Sequence, residues 1–108
     1  MEQYIYLLQP RRLAMLTEGP TDEEAQALAG HVAYLERLSG EGDVLLAGRT
    51  QTADENTLGL VILQAPSESA ATAIMQGDPA VAEGVMSAEL YPYRIAALSP
   101  HILEAACT

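Results

Sequence analysis

Leu58-Gly59-Leu60-Val61-Ile62-Leu63 is apolar on both faces that an extended chain presents. Alternation sends Leu58, Leu60 and Ile62 to one side and Gly59, Val61 and Leu63 to the other, so a sheet built on this strand needs cover above and below. Pro66 and Ser67 end the run; proline cannot donate to a ladder, and Ser67 offers a hydroxyl to cap a helix predicted over Glu68–Gln76. Gly77 suits that helix's end. Asp78-Pro79 then reads as a fresh cap with proline at the first helical position, predicting one further turn that reaches Gly84. A last strand is predicted over Glu89–Leu98, interrupted at Pro92, which confines it to a sheet edge or a bulge.

Toward the N-terminus, Thr50–Thr57 is a polar loop, and Val44–Ala47 is a short apolar run suited to a buried strand, with Gly48 free to turn sharply after it. Thr21 followed three residues later by Glu24 is a capping-box signature. Beyond it Ala25, Leu28, Ala29, Val32, Leu35 and Leu38 recur at steps of three and four, as a helix with one buried stripe requires, and Gly40 or Gly42 ends it. Tyr4–Leu8 reads as the first strand, closed by Pro10 and followed by a loop carrying Arg11, Arg12 and Gly19-Pro20.

The order is therefore β-α-β-β-α-β with an extra turn before the last strand. It predicts an α+β fold, a ferredoxin-like antiparallel sheet of the dimeric α-β barrel type, with residues 1–98 as one domain and residues 99–108 as a loosely held tail. The first strand repeats the two-faced pattern, Tyr4, Tyr6 and Leu8 opposite Ile5 and Leu7. Helices cover one side only, so the other predicts a homodimer through sheet faces, burying on the order of 800 Å² per partner.

The 108 residues carry five arginines, no lysine and a formal charge of −10. That field repels phosphate backbones and anionic lipid, so neither nucleic acid nor membrane is an expected partner. Lack of lysine excludes a Schiff-base lysine and a Walker-type phosphate loop. No G-x-S-x-G occurs, and apolar runs stop short of the roughly 18 residues that span a bilayer. A cytoplasmic location is the default expectation. One cysteine, Cys107, cannot form an internal disulfide, and in a tail it lacks an activating environment for nucleophilic catalysis. His31 and His101 lie far apart with no ligand-spaced partner, so no metal and no cofactor is expected.

His31 sits at the margin of the helix's buried stripe. An imidazole there is partly desolvated yet reachable by a ligand, and its unperturbed pKa of about 6.5 suits proton transfer. The ordinary alternative, which an isolated histidine favours, is a helix residue bonded to a neighbouring carboxylate such as Glu24 or to a carbonyl. Capping alone accounts for Asp78, but the same carboxylate could orient an imidazole. Arg49, after Gly48, could aim a guanidinium into a cleft to hold a carboxylate or enolate, or serve as a surface ion-pair partner. Arg11 and Arg12 read as solvated. Tyr34, three residues beyond His31, either packs in the core or gives its hydroxyl to a ligand, packing being the simpler role.

Two segments, His31-Val-Ala-Tyr34-Leu35-Glu-Arg-Leu38 leading to Leu45-Leu46-Ala47-Gly48, and Asp78-Pro79-Ala-Val81-Ala-Glu-Gly84-Val85, resemble the YciI-like family of YCII-related domains. The likeness runs from about Tyr4 to Leu98. It implies a small ferredoxin-like protein that dimerises through its sheets, with His31 and Asp78 lining a cleft as an acid–base dyad. Most members of that family have no assigned reaction; one branch is associated with elimination of chloride from a chlorinated aromatic diol or triol. Gly48-Arg49 departs from the Gly-Pro of many members, which implies a ligand preference of its own.

Three functions remain open on this reading. One is a cofactor-independent lyase or hydrolase acting on a small anionic or enolic molecule, with His31 as base or acid, Asp78 orienting it and Arg49 and Tyr34 contacting substrate. The others are a noncatalytic dimeric module that binds a small ligand in the same cleft, and an assembly piece with no site.

Overall fold

The computed structural model describes residues 1–106 of the chain. Its elements are β1 (Glu2–Pro10), α1 (Ala14–Thr17), α2 (Asp22–Glu41), β2 (Val44–Arg49), β3 (Gly59–Ala65), α3 (Glu68–Gly77), α4 (Pro79–Ala82), β4 (Met86–Pro92) and α5 (Ile102–Ala106). The strands form one sheet in the order β2-β3-β1-β4, with every neighbouring pair antiparallel. This is the ferredoxin-like α+β arrangement that the order of elements predicts.

Local chemistry explains the boundaries. Thr21 and Glu24 form the capping box, each side chain meeting the other's backbone N–H, and Gly42 closes α2 in the left-handed region at φ 88°. Glu24 is also gripped by both Nε and Nη2 of Arg12, at 3.0 and 2.6 Å. The Arg12 bonds, with the cap, hold the Glu24 carboxyl down to about 2. Arg12 is thus solvent-exposed, as the sequence reads, and also an ion-pair partner that pins the loop before α2. Ser67 caps α3 by accepting from Ala70 N.

Tyr4, Tyr6 and Leu8 of β1 and Val61, Leu63 and Ala65 of β3 face the helices and form the main core with Leu38, Val44 and Ala71. Register pairs Tyr6 with Val61 and Tyr4 with Leu63, so the other face carries Ile5, Leu7, Leu60 and Ile62. Leu46 of β2 joins them opposite Ile62. The two-sided apolar reading of the central strands therefore matches the observed register.

Three boundaries depart from expectation. A short helix, α1, interrupts the loop after β1 and buries Met15 against Ala27 and Val85. The last strand begins at Met86 and ends at Pro92, because ladder pairing with β1 starts at Met86↔Pro10, directly after the turn that Gly84 makes at φ 72°. Ile95-Ala-Ala-Leu98, apolar enough to read as its continuation, leaves the sheet, although Tyr93 N and Ile95 N still bond to Gln3. Pro92 does lie on an edge strand, one of the positions open to a residue without N–H. The tail holds an exposed helix, α5, and Cys107 lies outside the described residues.

Candidate active site

Asp78 joins α3 to α4 in extended conformation, φ −65° and ψ 122°. Its side chain caps α4 by accepting from Ala80 N at 3.0 Å, and Pro79 supplies the first helical position. The residue is nevertheless wholly buried, 0% exposed. A carboxylate so placed needs more than one cap to offset its desolvation. Tyr6 Oη donates to Oδ2 at 2.8 Å from the middle of β1, and His31 Nδ1 lies 2.8 Å from both carboxylate oxygens. Capping and imidazole contact thus coexist on one side chain.

His31 reaches Asp78 because α2 passes close over α4. A Cβ added to Gly30 would stand 3.1 Å from Pro79 Cβ, tighter than ordinary contact, so the glycine permits the approach. Its place inside a helix costs about 1 kcal/mol relative to alanine, which close packing of the two helices offsets. Glu24, the carboxylate considered for His31 from local spacing, is committed to Arg12 and Thr21 instead.

An ionised Asp78 can only accept, so the ring bears its proton on Nδ1 and leaves the Nε2 lone pair free when neutral. Among the described residues Nε2 has no hydrogen-bond partner, and no buried side-chain nitrogen or oxygen lacks one, so Nε2 is open to solvent. His31 is 16% exposed and lines a cleft of about 830 Å³ between α2 and the helix-facing side of the sheet. Burial, followed by the negative charge of Asp78 and the bond to it, pushes the Tyr6 hydroxyl far above its ordinary value. Tyr6 therefore remains a donor wherever the protein is folded near neutrality.

Arg49, at the end of β2, lines the same cleft, and its guanidinium has no side-chain partner among the described residues. His31 and Arg49 thus meet one hollow, with Asp78 behind the imidazole. Tyr34 does not join them. Its hydroxyl donates to Ile74 O at 2.7 Å and its ring packs against the main core, with Arg37 over the face at 5.4 Å. The structure places Tyr34 between α2 and α3, in the packing alternative, and outside the lining of the cleft. His101 contacts Glu104 at 3.1 Å in the exposed tail, and among the described residues no group of three or more His, Cys, Asp or Glu is placed to hold a metal. No helix among them is long and apolar enough to cross a membrane.

Sequence reasoning overlooked Tyr6, although a signal exists. The chain has five tyrosines but neither Phe nor Trp, so any aromatic core residue must bring a hydroxyl inward and find it a partner. The cleft walls contributed by Met15, Leu16 and Met86 carry no such signal.

The profile of the YCII-related domain matches residues 3–94. Comparison with curated proteins gave no match. Among solved structures, the chain is similar to 5-chloro-2-hydroxyhydroquinone dehydrochlorinase (TftG) from Burkholderia phenoliruptrix AC1100 in complex with 2,5-dihydroxybenzoquinone. The TM-score is 0.60 at 18% sequence identity, covering 84% of this chain and 93% of that one. At that identity the likeness bears on the fold.

Proposed function

This chain belongs to the YCII-related domain family, and we propose that it is a cofactor-independent lyase or hydrolase acting on a small anionic or enolic molecule. The observation that carries the reading is the pairing of His31 Nδ1 with both oxygens of a fully buried Asp78 while Nε2 opens to a cleft. Nε2 takes a proton from the bound molecule, and the imidazolium so formed is paired with the Asp78 carboxylate. Developing negative charge on the substrate falls to Arg49. Where a leaving group departs with its electron pair, the imidazolium can return the proton to it or to water. A positioned acid–base group of this kind contributes about 10²–10⁴-fold in rate.

Elimination of hydrogen chloride, the chemistry in the name of the similar dehydrochlorinase, needs these parts and no more: a base for the proton and a site that tolerates the departing anion. The test is a panel of chlorinated hydroquinols and enolisable carboxylates, followed by chloride release and by proton NMR. Wild type is expected to convert at least one member, and His31→Gln to lose that conversion by 100-fold or more. Ligand binding without conversion by wild type, and with affinity kept in His31→Gln, would favour the noncatalytic binding module instead, and equal conversion by the two proteins would remove His31 from the reaction.

The face carrying Ile5, Leu7, Leu46, Leu60 and Ile62 supports a homodimer through sheet faces, since a second copy would cover a continuous apolar strip crossing three strands. Light scattering at micromolar concentration is expected to give twice the 11.5 kDa chain mass. Leu7→Arg, which places a charge in the centre of that strip, should return the monomer mass. A monomer in wild type would end the proposal.

A further inference from the structure

We infer that the cleft takes an elongated, apolar molecule with a single anionic group, held with that group at the end where His31 and Arg49 stand. This rests on reading the cleft as the functional site and narrows what enters it. Its walls are the side chains of Leu28, Leu35, Val44, Val61, Met15 and Met86, and its volume is about 830 Å³. That lies in the upper part of the ~300–1,000 Å³ range of small-molecule pockets, with a mainly apolar lining, and is more than a two- or three-carbon acid could fill.

The polar groups are segregated along it. Only Gly42 and Asp43 separate α2 from β2, so β2 runs back beside the helix that precedes it. Five residue steps carry Arg49 about 17 Å from Val44. The ten steps from Glu41 back to His31 cover about 15 Å, so the backbone at His31 and at Arg49 stands at about the same level along the cleft that both line. Glu36 and Ser39, also on the cleft, stand toward the Val44 end, with Glu36 about 7.5 Å further along the helix axis than His31. One end therefore carries the Arg49 guanidinium and His31 Nε2, neither with a hydrogen-bond partner among the described residues, the other is acidic, and the stretch between them is apolar. In a chain of net charge −10 a second negative group on the ligand meets both Glu36 and the general field.

Octanoate, 1-octanol and suberate share an eight-carbon chain and differ in their charged ends, which makes them suitable probes for titration calorimetry on the full chain. Octanoate is expected to bind at least tenfold more tightly than either of the others. Arg49→Gln should bring octanoate down to the level of 1-octanol, and Glu36→Gln should bring suberate up toward octanoate. Both residues are exposed, so the variants are expected to fold; the salt dependence of octanoate binding in wild type, absent for 1-octanol, reads the same contact without substitution. Equal binding of octanoate and 1-octanol, or no octanoate binding, overturns the inference, as does indifference to Arg49→Gln. None of those results decides whether His31 transfers a proton, which stands or falls on conversion by wild type against His31→Gln; indifference to Arg49→Gln would in addition remove Arg49 from its charge-holding role. Selective octanoate binding with an inert His31 would remove catalysis and keep this ligand class.

Discussion

Asp78→Ala is expected to lower the unfolding free energy by about 3–5 kcal/mol, far more than an ordinary helix cap. The loss of a cap costs about 1 kcal/mol. Here the same truncation also strands the Tyr6 hydroxyl in the core and leaves Ala80 N and His31 Nδ1 without their acceptor. Each polar group left buried and unpaired adds about 1–3 kcal/mol, with partial relief where His31 turns to solvent. Urea denaturation followed by far-ultraviolet circular dichroism measures the change. A loss near 1 kcal/mol would mean that water fills the site, and that the network does not tie β1, α2 and α4 together.

Asp78→Asn separates that structural role from the chemical one. The amide keeps the side chain's size, and its oxygen can still accept from Ala80 N or Tyr6 Oη. With that oxygen kept on Ala80 N, the NH₂ group stands at the Oδ2 position, within reach of Nδ1, and by donating to it moves the ring proton to Nε2. The nitrogen facing the cleft then has no lone pair to offer. Turnover is expected to fall by about 10³–10⁴-fold, the scale on which a mis-set histidine tautomer acts in other enzymes. Stability should fall much less than in Asp78→Ala. Nitrogen-15 NMR of His31 reads the tautomer directly, and an Nδ1–H ring with unchanged turnover in Asp78→Asn would refute the role given to the carboxylate.

How much of this was legible depends on the range of the forces involved. The capping box at Thr21 and Glu24, the Ser67 cap and the Asp78-Pro79 helix start are read correctly because each involves partners two or three residues apart. The last strand was misplaced because Ile95–Leu98 and Met86–Ala88 are alike in local propensity. Pairing with β1 chose between them: its register runs from Met86↔Pro10 to Pro92↔Tyr4, and β1, which begins at Glu2, has no residue left to pair with Ile95–Leu98. His31 is recognisable as a helix residue at the edge of a buried stripe, while its pairing with Asp78 is one alternative on the residues and is implied by the family resemblance. Nothing local relates Arg49 to His31, and Tyr34, equally plausible by spacing, faces α3.

The sequence by itself determined the alternation of β1 and β3, the stop signals and hence the ferredoxin-like order, since these follow from side-chain periodicity and backbone chemistry within a few residues. Tertiary structure alone decided that the Asp78 carboxylate would meet an imidazole 47 positions away and a tyrosine hydroxyl 72 positions away. It also decided that a cleft would remain beneath α2. Those outcomes depend on how closely α2 and α4 approach at Gly30 and Pro79 and on which volume the packed side chains leave unfilled, and neither is a property of any short stretch of chain.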